Sequence, residues 1–426
     1  MRPSITILER IYERLSPVAF GPAAIVARAT GVSRSEIMER MGVLPETSGP
    51  ALWFHGASAG EMAAGTELAA LLRACGFNFT ACYTATNRAG VQFVRRTAAA
   101  PNLGALVPWD VRRWVARAYD RWHPSALFLV ETELWPQLVL EGIRRGIPVF
   151  SVSARIYPRD VVLYRAIGGF IGSTLRRITA ILAQNETERR RFLALGADPA
   201  RCIVAGNLKH IAMPRGNATP RGSDRGALSR EALGINPHDR VIVFGSVHDD
   251  EIEMVLSTLL MLEADGLRAI VAPRHVQSAA AIANRHRDIK MTLRSRDSRE
   301  DWRIMILDTM GELRAAYALA DLAIVGGGFK RHGGHNPYEP VFAGTPVMFG
   351  MHFDHFEDES RALYRVTPKA RIHTAAEMAT RIREWLRDES TRRRVLDAQS
   401  SILPDGAKIG ERYASALIPW MQARFA

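Results

Sequence analysis

The stretch ALWFHGASAGEMAAGTELAALLRA, residues 51–74, predicts how the first half of the chain folds. Its apolar run Leu52–His55 predicts a buried β-strand, and Met62–Ala74 predicts a helix with small and apolar residues along one face. A strand that leads directly into a helix is the repeating unit of a parallel sheet. This unit therefore predicts an α/β fold.

The same alternation recurs on both sides of one break. Further strands are predicted at Phe79–Tyr83, Ala126–Val130, Val149–Val152, Ala180–Ala183, Val241–Phe244, Ala269–Ala272, Leu322–Val325 and Pro346–Phe349. The helices predicted between them include Pro136–Arg145, a helix that follows the N-cap Asn185 and ends at Gly196, and Glu251–Ala264. The pattern breaks from Met213 to Ala227, where prolines and glycines replace apolar residues and indicate a linker.

The break predicts two Rossmann-like parallel-sheet domains of similar size. We expect an N-terminal segment at 1–48, a first domain at 49–212, a linker at 213–238 and a second domain at 239–426. The last helix of the chain is expected to pack back on the first domain. Open parallel sheets bind ligands at the carboxyl ends of their strands, so two facing domains predict a cleft that holds the site.

The composition is that of a soluble globular protein. Of the 426 residues 47% are hydrophobic and 23% charged, which excludes a disordered chain and an integral membrane bundle. No run approaches the ~18–20 apolar residues of a spanning helix. The best stretch, Leu15–Ala27, is short and contains Pro17 and Pro22, so we expect peripheral membrane contact at most.

The three cysteines are scattered and match neither a zinc site nor a disulfide framework. We interpret all of them as small buried apolar residues in a reducing, cytoplasmic compartment, namely Cys75, Cys82 and Cys202.

A formal net charge of +12 predicts an anionic partner, such as a phosphate, a nucleic acid or an acidic membrane surface. An arginine-rich proteome would produce the same charge without a specific partner. The sequence contains no nucleic-acid-binding motif, and aromatic residues do not interleave with the basic runs. We therefore expect no nucleic acid partner.

Glu61 stands at the entrance of the first predicted helix, after a segment of Gly and Ala that lets a substrate approach the backbone. This position suits a general base. It also suits a simple helix N-terminus, where the helix dipole favours Glu. The same dipole predicts a lowered pKa for Glu61, which would make positioning more important than basicity.

Glu131 and Glu133 follow the strand Ala126–Val130, just before Pro136 turns the chain into a helix. Residues two apart on a strand point the same way, so the two carboxylates are expected to act together. Acid–base or hydroxyl-binding chemistry is one interpretation. Helix capping combined with a salt bridge is the other.

In the second domain, two strand ends predict a phosphate site. The backbone beside Gly245 and Ser246 could cradle a phosphate, and Arg274 could pair with it. The later segment GGGFKRHGGHNPYEP, residues 326–340, adds five glycines and two basic residues around a predicted helix start.

In that segment we expect Asn336 to be the N-cap, Pro337 the first helical residue and Glu339 the third residue of a capping box. Capping explains this part but not the basic, glycine-rich loop before it, which predicts an anion site. His332 and His335 lie three apart in that loop without a third ligand in register, so we expect no metal.

These segments, in this order, resemble the family of 3-deoxy-D-manno-octulosonic acid (Kdo) transferases of lipopolysaccharide biosynthesis. Each motif is short, but the ordered set spans about residues 50 to 360. The matching motifs are HGASAGE (55–61), ETELWP (131–136), SARI (153–156), GNLK (206–209), GSVH (245–248), APRH (272–275) and GGHNPYEP (333–340).

The resemblance implies a GT-B fold and inverting, metal-independent transfer of Kdo from CMP-Kdo to a hydroxyl of the lipid A precursor, lipid IVA. It implies no cofactor besides the donor, an anionic lipid acceptor, and work at the cytoplasmic face of the inner membrane as a peripheral protein. The implied catalytic residues are Glu61, Glu131 and Glu133. The implied acceptor-binding residues are Ser58, Gly60, Arg155 and Lys209. The implied donor-binding residues are Ser246, Pro273, Arg274, His275, Gly327, Gly328, Gly333, Gly334, His335, Asn336 and Glu339.

Some positions depart from the family pattern. Where the family tends to have Asn-Ala-Arg-Leu-Ser, residues 153–157 read Ser-Ala-Arg-Ile-Tyr. Gly328 stands where Ser is common, and Met351 stands where a Gly-Pro pair is common. These changes leave open a divergent paralogue that transfers a Kdo-like sugar to another lipid or glycan. Two other classes are also open, a nucleotide-sugar 2-epimerase and a catalytically silent nucleotide-binding protein.

Overall fold

The computed structural model describes residues 7–47, 49–97, 102–166, 168–211, 213, 228–262, 267–287, 289, 291–296 and 302–425. The chain divides into two compact units, one formed by Met1–Ala212 with Pro404–Ala426 and the other by Met213–Leu403. Most of the predicted linker, residues 214–227, lies outside the described residues.

Unit 1 contains a seven-stranded parallel sheet with the strand order β3-β2-β1-β4-β5-β6-β7. Its strands are β1 (Ala51–Gly56), β2 (Thr80–Ala85), β3 (Asn102–Leu106), β4 (Ala126–Val130), β5 (Val149–Ala154), β6 (Ala180–Ala183) and β7 (Cys202–Val204). Its helices are α1 (Ile7–Ala29), α2 (Arg34–Arg40), α3 (Ala59–Ala74), α4 (Arg88–Thr97), α5 (Arg112–Trp122), α6 (Pro136–Arg144), α7 (Pro158–Ala166), α8 (Gly168–Leu175) and α9 (Glu186–Ala194).

Unit 2 contains a six-stranded parallel sheet with the strand order β10-β11-β9-β8-β12-β13. Its strands are β8 (Arg240–Val247), β9 (Leu267–Pro273), β10 (Met291–Leu293), β11 (Ile304–Ile306), β12 (Leu322–Val325) and β13 (Val347–Phe349). Its helices are α10 (Ile252–Met261), α11 (Ala279–Arg285), α12 (Leu313–Leu319), α13 (Tyr338–Phe342), α14 (Glu357–Val366), α15 (Ala375–Leu386) and α16 (Glu389–Ser400). The last helix of the chain, α17 (Gly406–Phe425), belongs to unit 1.

The predicted fold class is confirmed, because every strand pairing in the two sheets is parallel. All nine predicted strands exist, with ends shifted by up to three residues. The short strands β3, β7, β10 and β11 were not predicted, since three to five residues give too little periodicity to recognise. The predicted helix Glu251–Ala264 begins at Ile252 after a 3₁₀ turn, and Ala264 lies outside the described residues.

Both faces of the unit 1 sheet are covered, so its central strands are buried along their whole length. On one face Trp53 packs against Tyr119 and Trp122, with ring centroids 4.9 and 5.0 Å apart. On the other face Phe54 stacks on Phe128 at 5.0 Å. Adjacent residues of one strand thus supply two separate cores.

Two sequence expectations concern exposure. Cys82 and Cys202 are buried as expected, but Cys75 is exposed because it lies just beyond the last turn of α3, so its interpretation as buried was wrong. None of the helices in the described part of the chain combines the length and hydropathy that a bilayer-spanning segment needs.

Tyr413 on α17 connects that helix to two strand ends of unit 1. Its buried hydroxyl accepts a hydrogen bond from the Ser153 amide at 2.7 Å and donates one to the Gly206 carbonyl at 2.9 Å. Both backbone groups would lose a buried partner without the hydroxyl, and each such loss costs about 1–3 kcal/mol.

We therefore expect Tyr413→Phe to lower the free energy of unfolding of unit 1 by about 2 kcal/mol, measured by urea denaturation followed by circular dichroism. Tyr364→Phe is the control, because that exposed hydroxyl makes no hydrogen bond within the described residues and its ring stays over Arg371. Equal stabilities of the two variants would contradict the role of the Tyr413 hydroxyl.

Candidate active site

In unit 1, the predicted site residues follow the carboxyl ends of four strands. Glu61 follows β1, the pair Glu131 and Glu133 follows β4, Arg155 follows β5 and Lys209 follows β7. Because β1, β4 and β5 are neighbours in a parallel sheet, their carboxyl ends meet at one edge. The structure brings these side chains together there.

Glu61 is the third residue of α3 and closes the first turn of that helix. The Ser58 side chain caps the helix by accepting a hydrogen bond from the Glu61 amide at 3.4 Å. The Glu61 carboxylate in turn accepts hydrogen bonds from the Ala57 amide and, at 3.4 Å, from the Ser58 hydroxyl. This reciprocal cap holds the carboxylate in one place at the strand-to-helix turn.

The pKa of Glu61 is raised to about 7. Burial is the largest cause, and the neighbouring carboxylates Glu131 and Glu133 act in the same direction, whereas the Ala57 amide and Lys209 act against it. The expectation that the helix dipole would lower this pKa was wrong, because desolvation and like charge together outweigh it. Glu61 can therefore take up and release a proton near neutral pH.

The buried Glu131 carboxylate forms an ion pair with the partly exposed Lys209, whose Nζ lies 2.5 Å from Glu131 Oε1. β4 ends at Val130, and Glu131 has a left-handed backbone with φ of 63°, which is uncommon for a residue other than Gly. The expectation that Glu131 and Glu133 share one face of a strand was therefore wrong. They lie in the turn after β4 and bind different partners.

Glu133 is held by two side chains. Trp135 Nε1 donates to Glu133 Oε2 at 2.7 Å, and His55 Nε2 lies 3.2 Å from the same oxygen. Burial acts to raise the pKa of Glu133, but His55 and Trp135 outweigh it and the pKa lies below its usual value. Glu133 is thus charged in the pH range where Glu61 titrates, and this contrast separates the roles that the two carboxyl groups can take.

His55 is fully buried, and the sequence analysis assigned it no role beyond its motif. Trp53 Nε1 donates to Thr84 Oγ1 at 2.8 Å, and that hydroxyl lies 3.0 Å from His55 Nδ1. His55 Nδ1 also lies 3.1 Å from the Thr84 carbonyl. That carbonyl can only accept, so a proton on Nδ1 is donated to Thr84, whereas a proton on Nε2 faces Glu133. The sequence signal for this role was a His at the end of one predicted strand and a Thr at the end of the next.

Ser153 and Arg155 connect the strand ends to one another. Ser153 lies in a bulge of β5 with φ of 50°, and its hydroxyl lies 3.3 Å from both Asn207 Oδ1 and the Leu208 amide. The segment that carries Lys209 is therefore fastened to β5. The Arg155 guanidinium lies over the Tyr157 ring, 4.4 Å from its centroid.

Tyr157 is a site residue that sequence reasoning noticed only as a departure. Burial raises the pKa of its hydroxyl, which also feels Arg155, Glu131, Glu61 and Lys209. The Arg155 guanidinium over its ring fixes the position of Tyr157 beside one of these charged groups. Tyr157 therefore borders the predicted acceptor side, where the family pattern has a small Ser.

In unit 2, Ser246 occupies a place equivalent to that of Ser153. It lies in a bulge of β8 with φ of 56°, and the adjacent Gly245 packs so closely on the Tyr317 hydroxyl that a Cβ would collide with it. Bulges of this kind commonly redirect side chains beside active sites. Arg274 follows β9, and its amide donates to the Val247 carbonyl at 2.8 Å, so Ser246 and Arg274 are on neighbouring strand ends.

The glycine-rich loop of unit 2 is bound by a carboxylate of the protein itself. Glu251 is fully buried, and it accepts hydrogen bonds from the amides of Gly327 at 2.7 Å, Phe329 at 2.9 Å and Lys330 at 3.2 Å. It also accepts one from the His248 amide at 3.1 Å. These three loop amides are therefore paired within the protein, and the anion site expected at the helix start after the loop stays a prediction. The sequence signal was the run Asp249–Glu251, which was interpreted only as a helix start.

Three histidines stack beside this loop. The ring centroids of His248 and His332 are 3.9 Å apart, and those of His248 and His335 are 5.2 Å apart. His248 Nε2 and His335 Nε2 lie 3.0 Å from each other, so one of them carries the shared proton. Burial, with Arg274 and the other histidines, lowers the pKa of His335 to about 3, and His335 is neutral.

His275 and Arg274 lie near the stack at the end of β9. His275 contacts His248 edge to face at 6.3 Å, and it directly follows Pro273 and Arg274. The Arg274 side chain is exposed and forms no ion pair within the described residues. Among those residues no three His, Cys, Asp or Glu side chains are arranged to hold a metal ion.

The helix start after the loop differs from the prediction. α13 is five residues long and begins at Tyr338, one residue after Pro337, because the backbone of Pro337 belongs to the preceding turn. Asn336 still caps it, since Asn336 Oδ1 accepts from the Tyr338 amide at 3.0 Å. Glu339 lies close enough to Arg314 and Tyr317 to affect the pKa of both.

Four glycines of the loop are required by the packing around them. A Cβ on Gly328 or Gly334 would collide with the Phe353 ring, and one on Gly333 would lie 2.6 Å from the His355 ring. Gly327, Gly333 and Gly334 also have positive φ, between 73 and 85°. The conformation of the loop therefore depends on close packing against Phe353 and His355.

A family model and two curated relatives that match this chain carry the same description. Residues 35–212 match the family model described as 3-deoxy-D-manno-octulosonic-acid transferase (kdotransferase). The 3-deoxy-D-manno-octulosonic acid transferase of Haemophilus influenzae is 26% identical over 91% of this chain and 92% of its own length. The enzyme of the same name from Bordetella pertussis is 30% identical over 73% of each chain.

Solved structures share the architecture at low identity. A putative UDP-N-acetylglucosamine 2-epimerase from Listeria monocytogenes superposes with a TM-score of 0.63 at 12% identity, covering 88% of this chain and 97% of its own. The UDP-GlcNAc 2-epimerase from Neisseria meningitidis gives 0.61 at 10% identity, covering 88% and 100%. At these identities the likeness shows the fold alone.

The raised pKa of Glu61 should make the stability of the folded protein depend on pH. The folded pKa of about 7 exceeds the unfolded value of about 4.3, so the folded state binds the proton more tightly and loses stability as pH rises between these values. The free energy of unfolding of Glu61→Gln, relative to that of the wild type, should therefore increase by roughly 1–3 kcal/mol as the pH rises from about 4.5 to about 8. Urea denaturation of both proteins across this range measures the difference, and a constant difference would contradict the raised pKa.

Proposed function

We propose a specific reaction for this chain, which belongs to the 3-deoxy-D-manno-octulosonic acid (Kdo) transferase family. It is a glycosyltransferase of lipopolysaccharide biosynthesis that transfers Kdo. In the proposal the donor is CMP-Kdo and the acceptor is a hydroxyl of lipid IVA. The transfer inverts the anomeric carbon and uses no metal ion. The observation that supports this reaction best is the Glu61 carboxyl group, with a pKa of about 7 beside the Glu131–Lys209 pair.

In this reaction the acceptor hydroxyl oxygen forms a bond to the anomeric carbon of Kdo. The bond from that carbon to the phosphate oxygen breaks, and CMP leaves with the electron pair. Glu61 takes the hydroxyl proton, and a base works best when its pKa lies near the working pH. Direct displacement by the acceptor from the opposite side inverts the configuration at that carbon.

Glu131 and Glu133 support Glu61 in different ways. Glu133 stays ionised, since His55 and Trp135 lower its pKa, and its negative charge helps keep the pKa of Glu61 high. Glu131 places the Lys209 ammonium at the same strand edge, 2.5 Å from its own carboxylate. We assign Lys209 and Arg155 to the anionic groups of the acceptor, and Ser58 and Gly60 to the turn that the acceptor hydroxyl approaches.

On the donor side, Arg274 is the best candidate to bind an anionic group of CMP-Kdo, because its guanidinium is exposed and unpaired within the described residues. Ser246 supplies a hydroxyl on the neighbouring strand end. The neutral ring of His335 and the ring of His275 suit hydrogen bonds to polar groups of the donor. Glu339 and Asn336 suit the ribose hydroxyls, and Pro273 with Gly327, Gly328, Gly333 and Gly334 shapes the pocket walls.

The protein is proposed to work as a peripheral protein at the cytoplasmic face of the inner membrane, where a lipid acceptor is available. The charge of +12 supports anionic substrates on both sides of the reaction. Tyr157 makes a different acceptor a specific second candidate, since it places a large ring among the charges of the acceptor side. That candidate is a paralogue that transfers a Kdo-like sugar to another lipid or glycan.

Kdo transfer should depend on Glu61. Purified protein, supplied with CMP-Kdo and tetraacyl lipid A precursor in the presence of a chelator, should add one or more Kdo units, measured by mass spectrometry. Glu61→Gln should lower the rate at least about 1,000-fold, since it removes the base, while calorimetric binding of CMP changes less than about twofold. Glu67→Gln, a partly buried carboxyl on the same helix, is the matched control and should turn over normally.

Other results of this assay would exclude parts of the proposed reaction. Normal turnover by Glu61→Gln would exclude Glu61 as the base. Loss of activity with the chelator would exclude metal-independent transfer. CMP binding without product would favour the other acceptor, conversion of the donor alone would favour an epimerase, and neither binding nor product would favour a catalytically silent protein.

Binding of the acceptor should depend on Tyr157. Tyr157→Ser removes the ring from beneath the Arg155 guanidinium, a contact worth about 0.5–2 kcal/mol. We expect the KM for the lipid acceptor to rise roughly three- to tenfold, with the KM for CMP-Kdo changed less than twofold. Tyr157→Phe keeps the ring and should behave as the wild type. An unchanged acceptor KM in Tyr157→Ser would contradict a position in the acceptor site.

A further inference from the structure

The segment that carries Lys209 stands where the chain leaves unit 1. It is a short 3₁₀ turn, Leu208–His210, and the chain passes into unit 2 a few residues later. Because the chain leaves unit 1 there, the position of this turn depends on contacts with other segments of that unit. Lys209 forms its ion pair with Glu131 at the strand edge that also holds Glu61, so the position of the turn decides where the Lys209 charge lies.

Helix α17 packs closely on this turn and on the residues just before it. The helix begins soon after the chain returns to unit 1 at Pro404. A Cβ on Gly206 would lie 2.7 Å from the Ile409 side chain, and one on Gly406 would lie 2.6 Å from the His210 carbonyl oxygen. The two glycines therefore permit an approach between these segments that larger residues would prevent.

The Tyr413 hydroxyl on α17 joins two backbone segments. It donates to the Gly206 carbonyl at 2.9 Å and accepts from the Ser153 amide at 2.7 Å, and the whole residue is buried. Ser153 has the left-handed backbone of the β5 bulge, which a Ser adopts less readily than Gly or Asn does. Such a conformation persists only where its surroundings hold it, and the Tyr413 hydroxyl is one of the groups that do so.

Ser153 connects the bulge to the Lys209 turn. Its hydroxyl accepts from the Leu208 amide at 3.3 Å and donates to Asn207 Oδ1 at 3.3 Å. Asn207 Oδ1 in turn accepts from the Lys209 amide at 3.0 Å and so caps the 3₁₀ turn. A continuous chain of hydrogen bonds thus runs from the β5 bulge to the backbone of Lys209, and the Tyr413 hydroxyl fixes it at the bulge and at Gly206.

We propose that Tyr413 is a positioning residue for the acceptor side of the active site. Its hydroxyl fixes the turn that carries Lys209 and the β5 bulge, and Arg155 directly follows β5. Tyr413 acts through these two backbone segments and not by contact with the acceptor, because it is fully buried. The inference rests on the proposed function, since it takes Lys209 and Arg155 as the groups that bind the anionic acceptor.

A role in stability alone would have a different consequence. Any change in α17 that destabilises unit 1 equally would then affect turnover equally. Leu417 provides this comparison, because it is fully buried, lies on the same face of α17 four residues after Tyr413, and has no polar group in its side chain. Leu417→Ala leaves a cavity and should destabilise unit 1 at least as much as Tyr413→Phe does, while the hydroxyl of Tyr413 keeps its partners.

The test compares the full-length wild type with Tyr413→Phe and Leu417→Ala at a temperature where circular dichroism shows all three folded. In Tyr413→Phe the KM for the lipid acceptor should rise at least about threefold, since the cations that bind it are no longer held in place. The KM for CMP-Kdo and the kcat should each change less than about twofold, because binding of the acceptor alone is weakened. Leu417→Ala should keep the acceptor KM of the wild type within about twofold.

Hydrogen–deuterium exchange without substrate tests the same role independently of the reaction. Relative to the central strand β1, the segments 152–155 and 206–211 should exchange at least about threefold faster in Tyr413→Phe than in the wild type, and at the wild-type rate in Leu417→Ala. Faster exchange in Tyr413→Phe with no Kdo transfer by the wild type would count against the proposed function and still support the positioning role.

Three results would overturn the positioning role. The first is wild-type exchange of both segments in Tyr413→Phe, whatever the activity. The second is an unchanged acceptor KM in Tyr413→Phe when the wild type is active. The third is an equal rise of the acceptor KM in Leu417→Ala, because the effect would then follow stability and not the hydroxyl.

Discussion

The burial of both faces of each parallel sheet is the constraint on which the rest of this molecule depends. Every side chain of β1, β4 and β5 is buried, so these strands accommodate few polar groups along their length. Polar residues concentrate where the strands end, and parallel strands end together. The crowding of carboxylates at one edge of unit 1 follows from this arrangement, and so does the raised pKa of Glu61.

Buried carboxylates also hold the loops in place. Glu251 binds the amides of the glycine-rich loop in unit 2, and Asp110 binds those of Gln137 and Leu138 at the start of α6 in unit 1. Burial raises the pKa of Asp110 to about 6 although these amides act against it. A carboxylate that accepts hydrogen bonds from several backbone amides stabilises a loop end without a substrate. These loops therefore do not need a ligand to hold their conformation.

The hydrogen bonds of Asp110 connect α1 to the segment that carries Glu133. Tyr12 on α1 donates to Asp110, which holds the first turn of α6, and α6 directly follows the segment with Glu133 and Trp135. Left-handed backbone occurs at Glu131, just after β4, and at Ser153 and Ser246, in bulges near the carboxyl ends of β5 and β8. Such conformations persist only where the surrounding packing holds them, and here they occur beside the groups assigned to chemistry.

Sequence alone was sufficient for the α/β class, the two parallel sheets, the family and the identity of the strand-end segments. These follow from local patterns, namely apolar runs, helix caps and ordered motifs, which do not depend on distant residues. The pKa of Glu61 could not be predicted in this way, because it depends on burial in the folded chain and on the charges of Glu131 and Glu133 in the turn after another strand. The hydrogen bonds from the loop amides to Glu251 could not be predicted either, because Glu251 lies 76 residues away from Gly327 in the sequence. The orientation of α1 also required the tertiary structure, since only the partners of Glu9 and Tyr12 show which side of the helix faces inward. Local patterns determine which elements form, and long-range contacts decide the charge and the orientation of each side chain.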